Sequence, residues 1–329
     1  MMTEIVVITP GAFTTIQDLG RPGRRAGGVS PGGAADALSL RVANLLVGNR
    51  TGAAALEITL LGPRLAFPDG AWVALAGAEL DATLSTASGD TLRLPGWHPV
   101  WVPAGSSLVC GGARRGCRAI LAISGGIAVA EVLGGRGTDV RSGFGGVDGR
   151  PLRAGDRLPI APPRLPPPAD GSSALIAPRS VGAEFRPFRG DGSPVRVIRG
   201  PEFGAFNVAS RTSFLTGSFT VTNDSDRMGC RLAGPELQCT MRMLSQPLVP
   251  GTIQILPSGQ PILLLADAPT TGGYPRIAVV ATIDMPLVAQ ARPGDRIRFA
   301  EISLPEAGSL TRDRERGLAR LERGLEGSR

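Results

Sequence analysis

Three landmarks occur twice along the chain in the same order, and this repetition constrains the fold more than any other feature. Each half opens on an apolar run, Ile5-Val6-Val7-Ile8-Thr9-Pro10-Gly11 and Val195-Arg196-Val197-Ile198-Arg199-Gly200-Pro201. Each continues to a strand that ends in a Gly-Pro turn, Leu61-Gly62-Pro63-Arg64-Leu65 and Ala233-Gly234-Pro235-Glu236-Leu237. Each closes on Gly-Asp-Arg and an apolar residue, Gly155-Asp156-Arg157-Leu158 and Gly294-Asp295-Arg296-Ile297. Landmarks this far apart mark an old duplication into two lobes, the first carrying extra segments. Between them, residues 161–173 read APPRLPPPADGSS, and consecutive prolines deny a ladder its donors while favouring extended backbone. The expected organisation is a first β-barrel lobe over 1–160, a Pro-rich linker over 161–194, a second β-barrel lobe over 195–303 and a C-terminal helix or tail over 304–329.

Glycine (46) and proline (29) are abundant in the 329 residues, which favours many short strands joined by turns and a mainly β class. Leu92 and Leu94 with Val100 and Val102 alternate around Pro95-Gly96, and Ile253 and Ile255 with Ile262 and Leu264 alternate around Pro257-Ser258-Gly259. Both patterns predict hairpins. Helix is scarce: Leu38, Val42, Leu45 and Leu46 share a helical face with Gly48 at the C-terminal cap, predicting a helix that plugs a barrel end. A second helix is predicted over 310–325, where Leu310, Leu318, Leu321 and Leu325 share a face among charges.

All 35 basic residues are arginine, and the net charge is +7. The arginines are scattered with few aromatics between them, which points to a solvated surface and away from nucleic acid. Without lysine the chain can form no Schiff base, offer no phosphate-loop amine and carry no biotinyl group, so any biotin must arrive on another chain. The N-terminal residues show no basic leader or continuous apolar core, and the run from Ala119 to Val132 is too short and too broken for a membrane span, so a cytoplasmic protein is expected. Cys110, Cys117, Cys230 and Cys239 lack metal-ligand spacing and read as free thiols, with no metal expected. His98 is the single histidine, set between Trp97 and Pro99, and Ser124-Gly125-Gly126 lacks the nucleophile-elbow pattern, so a histidine-based triad is excluded.

Four segments combine glycine with polar chemistry. The first is Gln17-Asp18-Leu19-Gly20-Arg21-Pro22-Gly23 followed by residues 28–36, where clustered glycines admit a ligand to the backbone and Asp18 and Arg21 either bind or polarise a small polar molecule or hold a long turn. The second is Ser225-Asp226-Arg227-Met228-Gly229-Cys230-Arg231, whose arginines suit a carboxylate or, equally, an internal Asp–Arg pair. The third runs from Asp267 to Arg276 and places Thr270, Thr271, Gly272, Gly273, Tyr274 and Arg276 together, the densest polar cluster in the chain. The fourth, Asn44, Asn49 and Glu57, reads as capping and packing. Asp18, Asp226, Tyr274 and Arg276 are the candidate catalytic residues, and Arg21, Arg227, Arg231, Thr270, Thr271, Gly272 and Gly273 the candidate substrate-binding residues.

The strings Gln17-Asp18-Leu19-Gly20-Arg21-Pro22-Gly23, Ala55-Leu56-Glu57-Ile58-Thr59, Ser225-Asp226-Arg227-Met228-Gly229 and Thr270-Thr271-Gly272-Gly273-Tyr274-Pro275-Arg276 resemble the hallmark segments of the biotin-dependent carboxyltransferase family, in family order. That family includes the C subunit of 5-oxoprolinase, the Kip inhibitor antagonist, the corresponding region of urea carboxylase and the second allophanate hydrolase subunit. The resemblance implies two tandem cyclophilin-like β-barrel lobes and a partner chain homologous to the Kip inhibitor or to the B subunit of 5-oxoprolinase, joined in that enzyme by an A subunit. Such an assembly opens 5-oxo-L-proline to L-glutamate with ATP hydrolysis, so a lactam or amide substrate and ATP are expected at the level of the complex, with activity only there. The alternatives implied are carboxyl transfer from a separately carried biotin to urea or a related amide, and a regulator that binds a protein partner. The chain departs from the family pattern at Gly32 and Ala35, where serine and methionine are usual, at Ala268-Pro269 for a common Arg-Gln, and at Gln246 for a glutamate.

Overall fold

The computed structural model describes residues 3–188, 192–239, 241 and 243–327. The chain divides into two compact units, one made of residues 3–20, Asp36–Pro187 and 318–327, the other of Arg21–Ala35 and the described part of Phe188–Gly317. Each half contributes one mainly β unit, yet residues 21–35 leave the first stretch of chain to join the second unit.

The first unit is a ten-stranded open half-barrel. Its strands are β1 (Thr3–Thr9), β2 (Phe13–Gln17), β3 (Ala55–Thr59), β4 (Arg64–Phe67), β5 (Ala71–Ser85), β6 (Thr91–Arg93), β7 (Pro99–Val102), β8 (Ser106–Ile123), β9 (Arg157–Ile160) and β10 (Leu175–Ile176). The long strands β5 and β8 pair along most of their length and form the spine, with β3 and β4 on β8, and β6 and β7 on β5. Their apolar alternation puts Val73, Leu75, Leu108, Leu121 and Ile123 in one core with Ile5, Val7, Leu65 and Phe67. Helix α1 (Ala37–Leu46) packs across β5 and β8. It starts where the Asp36 carboxylate accepts from the Ser39 N–H at 2.9 Å, and it stops at Gly48, whose φ of 78° closes the last turn.

The stretch read as a spacer is held on this unit. The Trp72 indole donates to the Pro166 carbonyl (2.8 Å), the Trp101 indole to the Gly171 carbonyl (2.9 Å), and β10 pairs with β7. Proline-rich chain has spare carbonyls and few donors, so two indole N–H groups dock it without a ladder. The hairpin expected over residues 92–102 takes another form: β6 and β7 both pair with β5 and not with each other. Alternation locates the strands correctly but is silent on partners.

The second unit is an eight-stranded barrel of β11 (Val195–Arg199), β12 (Phe219–Val221), β13 (Gly229–Ala233), β15 (Thr252–Ile255), β16 (Pro261–Leu264), β18 (Arg276–Val280), β19 (Arg296–Ile297) and β20 (Phe299–Glu301), with a separate two-stranded ribbon of β14 (Gln246–Pro247) and β17 (Thr271–Gly272). The strand order runs β19-β12-β13-β16-β15-β18-β11-β20, and Arg298 alone separates the two end strands in sequence, so the barrel is nearly closed. Here the expected hairpin forms, β15 against β16. Phe214, on α2 (Val208–Thr216), stacks on Phe299 at 4.6 Å between centroids and anchors a core with Val197, Phe219, Ile253 and Ile277. α3 (Met285–Ala289) follows β18, and α4 (Leu304–Glu326) begins six residues ahead of the expected start because Ser303 caps its first turn and Pro305 fits there. Among the described residues no helix is long and apolar enough to cross a membrane.

Candidate functional site

Residues 21–35 of the first segment singled out in the sequence meet the second and third segments in the second unit. The Arg227 guanidinium donates twice to Asp267, Nε to Oδ2 at 2.8 Å and Nη2 to Oδ1 at 2.9 Å, and Nη2 also reaches the Gly33 carbonyl at 2.6 Å. The glycine-rich strap lies along the same loop: the Gly32 N–H donates to the Ala266 carbonyl (3.1 Å) and the Ser30 hydroxyl to the Ala268 carbonyl (3.1 Å). Arg21 is buried at the root of the strap, its N–H bonded to the Pro31 carbonyl at 2.8 Å. Gly32 has φ +59°, a conformation that strains serine but not glycine, and Ala35 packs on Ala266 and Ala289. A Cβ at Gly32 would meet only the Arg21 guanidinium at 3.4 Å, so backbone conformation and not space favours glycine there.

Beyond Asp267 the chain turns into the ribbon, β17 pairing Gly272 with Gln246. A side chain at Gly272 would run into Leu248 and Gln254, so glycine is required for close approach. Gln254 Nε2 donates to the Tyr274 carbonyl at 3.0 Å and holds the turn from inside the barrel wall. Arg276 opens β18 and forms a two-point pair with Glu202, Nε to Oε2 at 2.7 Å and Nη2 to Oε1 at 2.6 Å, while Nη1 donates to the Pro247 carbonyl at 3.2 Å. This hydrogen-bonded pairing lowers the Glu202 carboxyl below its ordinary value and raises the Arg276 guanidinium. One side chain thus ties together the end of β11, the ribbon and β18. Gly273, Tyr274 and Pro275 line a cleft of about 460 Å³ with residues 236–239, Met241, Met243, residues 255–257 and Gly259. The walls mix apolar side chains with Glu236, Gln238 and the Tyr274 side chain as polar groups, a composition suited to a small polar molecule that offers hydrogen-bond donors.

Residues 27–301 match the model of the family described as "Carboxyltransferase domain, subdomain A and B". The chain belongs to this carboxyltransferase family. It is 40% identical to the 5-oxoprolinase C subunit of Escherichia coli over 317 residues, 96% of each chain, and 36% identical to the 5-oxoprolinase C subunit of Haemophilus influenzae over 94% of each. Among solved structures it superposes on the Kluyveromyces lactis urea carboxylase with a TM-score of 0.85 at 30% identity, covering 98% of this chain and 29% of that one. The glycines of the strap, the Arg227 loop and the ribbon of the carboxyltransferase domain fall within the matched residues from Gly27 onward.

The other candidates serve their own neighbourhoods. Asp18 belongs to the first unit, and both its oxygens accept backbone N–H groups, from Gly20 at 2.8 Å and from Arg136 at 2.6 Å. Asp226 caps its own turn, one oxygen accepting from Met228 (2.7 Å) and Gly229 (3.1 Å). Arg231 is exposed on β13 between two inward residues, and Thr271 is exposed while Thr270 is half-buried and accepts from the Leu248 N–H through its carbonyl at 2.9 Å. His98 bonds the Gly96 carbonyl at 2.9 Å within its own loop. Asn49 and Asn44 bond each other and the chain around α1, as packing residues do. Sequence reading missed Glu202 and the residues of 236–239. Glu202 lies 74 positions from its partner, and no local pattern marks it. Among the described residues no group of three or more His, Cys, Asp or Glu is placed to hold a metal.

Proposed function

We propose that this chain is the C subunit of a 5-oxoprolinase, opening 5-oxo-L-proline to L-glutamate with ATP hydrolysis in complex with the A and B chains of that enzyme. The observation that carries the reading is the end-to-end match at 40% identity to a protein of that name, where the urea carboxylase resemblance spans only a fraction of the longer chain. The catalytic unit is the complex, and it works in the cytoplasm. A small lactam occupies the cleft beside Tyr274, with Gly273 presenting backbone toward the opening carbonyl and Arg276, fixed by Glu202, bracing the adjoining turn. Asp18 and Asp226 hold their own loops, and Arg231 stands exposed on β13.

The chain has no lysine to supply a phosphate-loop amine, and Arg227 and Arg276 are engaged with Asp267 and Glu202. ATP belongs to the complex, and any biotin is carried on another chain, since this one has no lysine. The test is glutamate release from 5-oxo-L-proline and ATP, measured with this chain alone and with its A and B partners. Release only in the full mixture is the expected result, lost in Arg276→Ala. A stable complex of all three chains that releases no glutamate overturns the reading.

A further inference from the structure

On one edge β5 pairs with β8, but its other edge is served by two separate strands, β7 against residues 71–74 and β6 against residues 83–85. Residues 75–82 face no strand there. The chain crosses the gap as a loop pinned at both ends, by the Leu94 N–H on the Ala82 carbonyl (2.9 Å) and the Trp97 N–H on the Leu75 carbonyl (2.7 Å). β5 is irregular over the same stretch, its register with β8 shifting three times between Gly77 and Ala82. The gap in the sheet is a cleft of about 390 Å³, inside the size range of small-molecule sites.

The walls are buried apolar side chains, Leu75, Leu80, Leu94 and Trp97, and the rim carries Glu79, Arg93 and Arg186. Trp97 holds φ +66°, a backbone region that bulky residues avoid, so its indole is kept against the cleft at a conformational cost. Arg93 lies 3.6 Å from Asp81 with its side chain 66% exposed, a loose pair, and Arg186 forms no ion pair among the described residues. Asp81 is held more closely by Arg114, at 2.6 Å, so Arg93 and Arg186 against Glu79 leave the rim with one net positive charge. A monoanion balances that charge, and an apolar body fills the slot behind it.

We propose that this cleft of the first unit is a second ligand site, taking an organic monocarboxylate with a flat or aliphatic body. The carboxylate docks between Arg93 and Arg186, and the body lies on Trp97 and the leucines. The test uses the full chain and calorimetric titration with 4-phenylbutyrate and its uncharged counterpart, 4-phenylbutyramide. The acid is expected to bind at one site, the amide at least about tenfold more weakly, with a loss of about tenfold in Arg186→Gln and a similar loss in Arg93→Gln. Both arginines are surface residues, so the variants keep the parent's thermal midpoint, which is checked alongside. Equal binding of acid and amide, undiminished binding in both variants, or no heat up to the solubility limit of the acid overturns the site.

Discussion

Arg227 holds two separate pieces of chain with one guanidinium, the Asp267 carboxylate and the Gly33 carbonyl. With Arg227 almost fully buried, its loss would strand a carboxylate in poor solvent and release the strap. Arg227→Ala is expected to cost about 2–3 kcal/mol, somewhat less than a wholly buried pair because Asp267 keeps some water contact. Asp267→Asn, which retains an acceptor, should cost less, and urea unfolding of both variants measures the difference. At the other extreme of residue chemistry, burial pushes the Cys110 thiol up to about 12. Cys110 should therefore escape iodoacetamide at about pH 8 in the native chain and react once unfolded, a contrast that peptide mass spectrometry reads directly.

At the scale of elements, the proline-rich segment is secured by two indole donors, a two-residue strand, backbone bonds from Ala161 and Ala177, and the buried Leu165, Val181 and Phe185. Trp101→Phe keeps the ring packing against Trp72 but removes one donor, so cleavage within residues 161–187 under limited proteolysis should accelerate several-fold, as local opening becomes cheaper. These elements also show what the sequence could convey. The periodicity of Leu38, Val42, Leu45 and Leu46 with Gly48 located α1, and the alternation across Pro257-Ser258-Gly259 located the β15–β16 hairpin, because turn and strands are contiguous. The same alternation around Pro95-Gly96 misled on pairing, because β5 competes for both strands over a longer ladder. The docking of the proline-rich segment was hidden for a related reason: proline reports the missing donors of its own segment, not the tryptophan N–H groups that come from elsewhere.

Across the whole molecule, the candidate site was half legible. The glycines and arginines of 225–231 and 270–276 announced themselves by clustering, whereas Glu202 reaches Arg276 only because β11 pairs with the distant β18. That pair has a measurable signature. Hydrogen bonding from arginine holds Glu202 in the second unit, and Asp156 beside Arg150 in the first, below their ordinary values. Carboxyls whose folded values are depressed contribute stability above their unfolded values, near about 4, and lose it as pH falls through the folded ones. The thermal midpoint should therefore drop on acidification below about pH 4, and a Glu202→Gln/Asp156→Asn double variant should show a shallower drop in the same scan.

The near-joining of β19 and β20 through Arg298 also bears on how the chain behaves in company. A sheet whose end strands are consecutive in sequence offers no long row of open backbone groups to a stranger, so the second unit is poorly suited to templating its own stacking. The first unit ends instead on β9 and on the two-residue β10, whose Leu175 and Ile176 stand exposed. If the polypeptide clumps during expression, the sticky seam is at that short strand, and a single charged residue at Leu175 is the remedy to engineer.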